Sequence, residues 1–226
     1  MADRTVVLVH GAWHGGWCWE NVTPFLDDAG VRWRTVDLPM TALADDVAAV
    51  TALLDEVDGP VTLVGHSYGG VVITGAGVHP AVEHLVYITA FAGTEDEPAS
   101  SVMPDADVES TAFGDSFQID DEGMVTVERE GTIAALYNRC DPADASAAYD
   151  RLRPISIQCF TTAPGVAAWR TRPSTYVLCL DDQGVSPDLQ HLMAERAGSE
   201  IIERDTDHSP FYAEPDVLAS LLIERA

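Results

Sequence analysis

The sequence predicts an α/β fold, a doubly wound and mostly parallel sheet with helices on both faces. Three observations carry that expectation. Apolar runs of strand length alternate with helix-compatible stretches through both ends of the chain, the βαβ rhythm that winds a parallel sheet. The runs are nearly continuous in hydrophobicity, as strands buried on both faces are. Residues 61–70, Val-Thr-Leu-Val-Gly-His-Ser-Tyr-Gly-Gly, pass from such a run through a sharp turn into a helical segment.

Taken in order, strands are expected at Thr5 to His10, Arg32 to Val36, Val61 to Val64, His84 to Thr89, Ser174 to Leu180 and Glu200 to Glu203. Helices are expected between them at Trp19 to Ala29, Leu43 to Val57, Tyr68 to Gly75, Pro187 to Ala197 and Pro215 to Arg225. The stretch from Gly93 to about Gly165 breaks the rhythm. It opens acidic and irregular from Thr94 to Asp107. A hairpin follows, Ser116 to Asp120 and Met124 to Glu128, around Asp121-Glu122-Gly123. Two helices come next, near Thr132 to Arg139 and Pro142 to Leu152. The expected organisation is an α/β core of 1–92 and 166–226 with residues 93–165 inserted as a lid. Lids on such sheets sit over the carboxyl ends of the strands, where ligands bind.

Composition narrows the function classes. At 226 residues the chain is long for one core and short for two domains, and 46% apolar residues make a packed globule. The longest apolar runs are strand-length, so no membrane span is expected, and the first residues enter a strand without a signal peptide. Twelve basic residues face 37 acidic ones, a formal net charge of −25. Such a surface repels phosphate backbones and anionic membranes, which argues against nucleic acid as a partner. Every basic residue is arginine. Without lysine there is no Schiff base, no P-loop lysine and no lysine general base. Cys18, Cys140, Cys159 and Cys179 are widely spaced with no C-x-x-C, which reads as free thiols in a cytoplasmic protein and argues against zinc.

Gly65-His66-Ser67-Tyr68-Gly69 is the G-x-S-x-G pattern in its meaningful context, strand, turn, helix. The flanking glycines let strand and helix approach around Ser67, and a helix N-terminus behind it favours developing negative charge. A glycine-rich turn whose serine caps the helix is the bland alternative. A serine hydroxyl needs a general base, itself oriented by a third group. Of seven histidines only His208 lies in a loop after the last strand and before the C-terminal helix. His66 adjoins the nucleophile, but neighbouring side chains on a sharp turn diverge, so it reads as a wall or support. His10 and His14 read as supports for a nearby loop, and His79, His84 and His191 as structural or exposed. The strand from Ser174 to Leu180 ends in Asp181-Asp182-Gln183-Gly184, which supplies the acid. Asp182 is preferred because it sits further into the turn, with Asp181 as the alternative. Asp205 and Asp207 are too near His208 in sequence to orient its ring and read as loop caps. An oxyanion hole needs two backbone N–H groups. One belongs to Tyr68, after the nucleophile. The other belongs to the glycine-rich loop His10 to Trp17, and is assigned to Ala12.

These blocks resemble the α/β-hydrolase superfamily, in particular its branch of plant methylesterases, hydroxynitrile lyases and bacterial esterase relatives. The matching stretches are residues 10–19, Val36-Asp37-Leu38-Pro39, the elbow at 65–70, Leu136 to Ala145, and Asp207-His208-Ser209-Pro210-Phe211. The resemblance covers the chain except about 93–130 and puts the family's acid at Asp182. In the lyases a lysine follows the catalytic histidine and a threonine sits in the oxyanion loop. Here Ser209 and Gly11 stand at those places, so the resemblance implies ester hydrolysis without a metal or organic cofactor.

The expected partner is a small-molecule ester, with a homodimer admissible. Trp13, Tyr68, Phe113, Phe117, Tyr137 and Phe160 are candidates for the pocket wall, which implies an apolar or aromatic substrate. The acidic lid disfavours strongly anionic ones. A lactonase, a thioesterase, a biosynthetic cyclase, a slow-turnover binding protein and an interaction scaffold remain as rivals, because the fold alone does not separate them.

Overall fold

In the computed structural model, which describes residues 4–102 and 111–226, six parallel strands form one sheet. They are β1 (Thr5–Val9), β2 (Trp33–Val36), β3 (Val61–His66), β4 (Val82–Ile88), β8 (Ser174–Cys179) and β9 (Glu200–Arg204), in the spatial order β2-β1-β3-β4-β8-β9. The central strands β1 and β3 are buried along their whole length, while the edge strands β2 and β9 are partly exposed. That is why the former read as unbroken apolar runs.

Side-chain alternation along β1 divides two cores. Val7 and Val9 pack toward α2 (Leu43–Asp55) and α3 (Gly69–Ala76), whereas Val6 and Leu8 pack toward α1 (Thr23–Asp28) and α9 (Pro215–Ile223). The chain runs outward from β1 to β2 and returns to the far side of β1 as β3. The winding therefore reverses between the carboxyl ends of β1 and β3, the place where open α/β sheets form their ligand crevice.

The helix expected over Trp19 to Ala29 is shorter. A 3-10 turn, Gly16–Trp19, precedes α1, and Pro24 in the first turn of α1 has no N–H with which to continue an earlier helix. Near the C-terminus a short helix α8 (Pro210–Ala213), unanticipated from the sequence, precedes α9.

Residues between β4 and β8 leave the sheet. Their hairpin is β5 (Phe117–Ile119) and β6 (Met124–Val127), turned by Gly123 at φ +78° and by Asp120, whose carboxylate accepts the Glu122 and Met124 amides. A third antiparallel strand, β7 (Ile155–Ser156), pairs with β6 and was not expected. Side-chain caps set three helices: Glu128 on α4 (Arg129–Leu136), Asp141 on α5 (Pro142–Tyr149) and Ser156 on α6 (Ile157–Thr161). Returning to the sheet, α7 (Pro187–Ala197) ends at Gly198 in the left-handed region. Residues 103–107 of the stretch read as acidic and irregular lie outside the described residues.

Candidate active site

Ser67 sits just past β3 with φ +51°, a conformation costly for a residue with a Cβ. Neighbouring backbone holds it there. Its N–H donates to Ile88 O at 3.2 Å, and its carbonyl accepts the Gly70 and Phe91 amides at 2.9 and 3.1 Å. Two glycines press the loop after β1 against this turn. A Cβ on Gly69 would lie 2.7 Å from His10 O, and one on Gly11 would lie 2.9 Å from Ser67 Cβ. The α3 N-terminus begins two residues beyond Ser67.

The loop after β1 is fixed by two buried histidines. His10 receives the Leu38 amide on Nε2 at 3.0 Å, so its Nδ1–H donates to Gly11 O at 2.8 Å. His14 sets Nδ1 2.8 Å from Ala12 O and Nε2 2.7 Å from the Tyr137 hydroxyl. Burial depresses both rings, His10 to about 4 and His14 to about 3, so they stay neutral near pH 7. The amides of Ala12 and Tyr68 donate to no protein acceptor among the described residues. Both residues border the cavity that contains Ser67.

His208 follows β9 and is 2% exposed. Its Nδ1 lies 2.7 Å from Asp182 Oδ2, in a pair whose side chains are 3% and 0% exposed. The second carboxylate oxygen accepts the Gly184 and Val185 amides at 2.6 and 2.9 Å. Asp181, one residue earlier, points outward to Arg139 and is 37% exposed. Neither the Ser67 hydroxyl nor His208 Nε2 has a hydrogen-bond partner among the described residues; both line one cavity. Such links commonly tighten only when substrate is bound.

Two further partners of Asp182 escaped the sequence reading. Thr89 Oγ1 and Gln190 Nε2 both donate to Oδ2, the latter at 3.0 Å. Thr89, at φ +40°, follows β4 directly, and its place at a carboxyl strand end was the available signal. Gln190 gave none beyond being a polar residue within a helix. Asp46 was also missed. It is wholly buried on α2 and accepts the Tyr68 hydroxyl at 2.6 Å and the Met40 amide at 2.7 Å, with the Cys159 thiol at 3.6 Å. Burial raises the carboxyl of Asp46 and pushes the Cys159 thiol up to about 12.

The cavity above Ser67 measures about 290 Å³. Trp13, Phe113, Phe117 and Phe160 form an aromatic wall, joined by Phe91, Ile157 and Val185. Among the described residues no Asp, Glu or Arg lines it. Tyr137, expected in this wall, is not there. Its ring is 2% exposed behind the loop after β1, with its hydroxyl on His14. His66 is likewise a support, its Nε2 donating to His208 O at 2.8 Å. Asp207 caps the Ser209 amide and also holds the Arg139 amide. Among the described residues no group of three or more His, Cys, Asp or Glu is arranged for a metal, and no helix is long and apolar enough to cross a membrane. All four cysteines are free.

Comparison with known proteins agrees with this architecture. The model of the alpha/beta hydrolase family matches residues 6–221. The chain belongs to that family. Among its relatives, Methylesterase 17 of Arabidopsis thaliana is 26% identical over 251 residues, covering 97% of this chain and 90% of that protein. Norfluorocurarine synthase 2 of Strychnos sp is 28% identical over 269 residues, covering 98% and 95%. Among solved structures, a pyrethroid hydrolase from Sphingobium faniae JZ-2 superposes with a TM-score of 0.84 at 24% identity, over 98% of this chain and 96% of the other. That hydrolase shares the fold of the present α/β hydrolase.

Proposed function

We propose that this α/β hydrolase cleaves a small apolar or aromatic carboxylic ester through an acyl-enzyme on Ser67. His208 Nε2 takes the hydroxyl proton as the oxygen attacks the ester carbonyl. The Asp182 carboxylate, bonded to Nδ1, stabilises the imidazolium. The Ala12 and Tyr68 N–H groups receive the oxyanion. His208 then protonates the departing alkoxide, and a water activated by the same imidazole releases the acid. Residues 93–165 act as the lid, contributing Phe113, Phe117, Ile157 and Phe160 to the cavity wall. Among the described residues His208 is the one ionisable side chain besides the Tyr68 phenol in that wall, which favours a neutral substrate whose apolar body leaves water. The methylesterase relative is consistent with an ester substrate.

One observation carries the reading: a serine in a strained turn shares an apolar cavity with a histidine whose other nitrogen is bonded to a buried aspartate. A serine-directed fluorophosphonate is the direct test, read by intact mass and peptide mapping alongside turnover of 4-nitrophenyl acetate and butyrate. The expected result is one adduct on Ser67 and ester turnover that Ser67→Ala reduces by orders of magnitude. A folded wild-type protein that neither labels nor hydrolyses these esters would refute it.

A further inference from the structure

A second cavity of about 250 Å³ lies beside the first, and among the described residues Trp13 is the one that lines both. Its other walls are of different character, with Thr126, Tyr149, Asp150 and Arg153 among them. Trp13 is held firmly between the two. It takes φ +63°, its indole N–H donates to Val125 O at 3.0 Å, and its carbonyl accepts the Arg153 amide at 2.7 Å. Its ring meets Phe117 edge-on at 5.2 Å and leans on Phe160 at 5.6 Å. Only 4% of the residue is exposed. We infer that Trp13 is a specificity-determining partition: its indole closes the ester cavity against the second one and limits the length of substrate accepted. Without the indole the two spaces join, and the longer branch of an ester extends past the aromatic wall toward Thr126 and Tyr149.

The inference rests on the ester-hydrolase reading and is tested with two homologous series, 4-nitrophenyl alkanoates from acetate to decanoate and alkyl benzoates from methyl to octyl. Each methylene newly taken out of water is worth about 0.8 kcal/mol, roughly fourfold in kcat/KM. Trp13→Ala is therefore expected to raise the long-to-short ratio of kcat/KM by more than ~10-fold in at least one series, since three such methylenes would exceed that value. Thr126 is exposed on the second cavity's rim, so Thr126→Trp added to Trp13→Ala refills that space and returns the ratio toward the wild-type value. Should Trp13→Ala fail to fold by thermal melt, Trp13→Leu takes its place. A folded variant with an unchanged ratio in both series, or a shift that Thr126→Trp leaves intact, overturns the inference. Wild-type protein inert toward every ester would instead refute the function on which it rests.

Discussion

Replacing Asp182 with asparagine tests the site most sharply, because its surroundings dictate how the amide must sit. Oδ1 accepts the Gly184 and Val185 amides, so the asparagine oxygen has to take that position. The amide NH2 then occupies the place of Oδ2, where Thr89, Gln190 and His208 each direct a donor. The imidazole can relieve this clash only by moving its proton from Nδ1 to Nε2. A protonated Nε2 cannot accept the Ser67 proton, and the imidazolium has also lost its counter-charge. The expected loss is about 10⁴-fold in kcat, or ~5.5 kcal/mol in the barrier. Asp181→Asn removes a half-exposed ion pair with Arg139 and perturbs the bond from the Asn138 amide, and should change kcat less than about threefold and stability by under ~1 kcal/mol. The assay is kcat and kcat/KM on 4-nitrophenyl butyrate for both variants, with thermal melts to establish folding. A folded Asp182→Asn within about tenfold of wild type, or a larger loss for Asp181→Asn, would refute the assignment.

Three more expectations concern the frame around the site. Tyr68→Phe keeps the main-chain N–H but leaves buried Asp46 one donor short, so stability should fall by about 2 kcal/mol while kcat moves only a few-fold; a large kcat loss in a folded variant would bring the hydroxyl into the chemistry. Gly69→Ala places a Cβ 2.7 Å from His10 O and 2.8 Å from Val9 O, both rigid backbone. It should cost about 1–3 kcal/mol and, by shifting the loop after β1 against Ser67, about 10²-fold in kcat; unchanged melting and turnover would count against that packing. His10 and His14, depressed by burial to about 4 and about 3, bind protons in the unfolded chain near pH 6.5 but not in the folded one. Their contribution to stability is complete above 6.5 and is lost as pH falls toward 4 and 3. Imidazole NMR of the folded protein should show neither ring titrating above about pH 5, and a midpoint near the ordinary histidine value for either would contradict the burial.

The sheet was legible because its signal is local. Unbroken apolar runs, proline and glycine at helix ends and the strand-turn-helix context of Ser67 each reside in a few consecutive residues. Chain order then singled out His208 among seven histidines, because only one follows the last strand of the sheet. The segment between β4 and β8 was read less fully. Its hairpin and two helices were visible, whereas β7 is two residues long and exists only because Val125 and Met124 offer it an edge.

The amino-acid order by itself determined the parallel sheet and the tight strand-to-helix turn at Ser67. Only the tertiary structure decided between adjacent aspartates, sending Asp182 inward to His208 and Asp181 outward to Arg139. It also drew Tyr137 away from the cavity to His14, and brought Thr89 and Gln190 onto one carboxylate oxygen. The physical reason is range. Backbone periodicity is written in neighbouring residues, but a buried polar atom must find its partner wherever the fold supplies one, and Thr89 and Asp182 meet across 93 positions of chain.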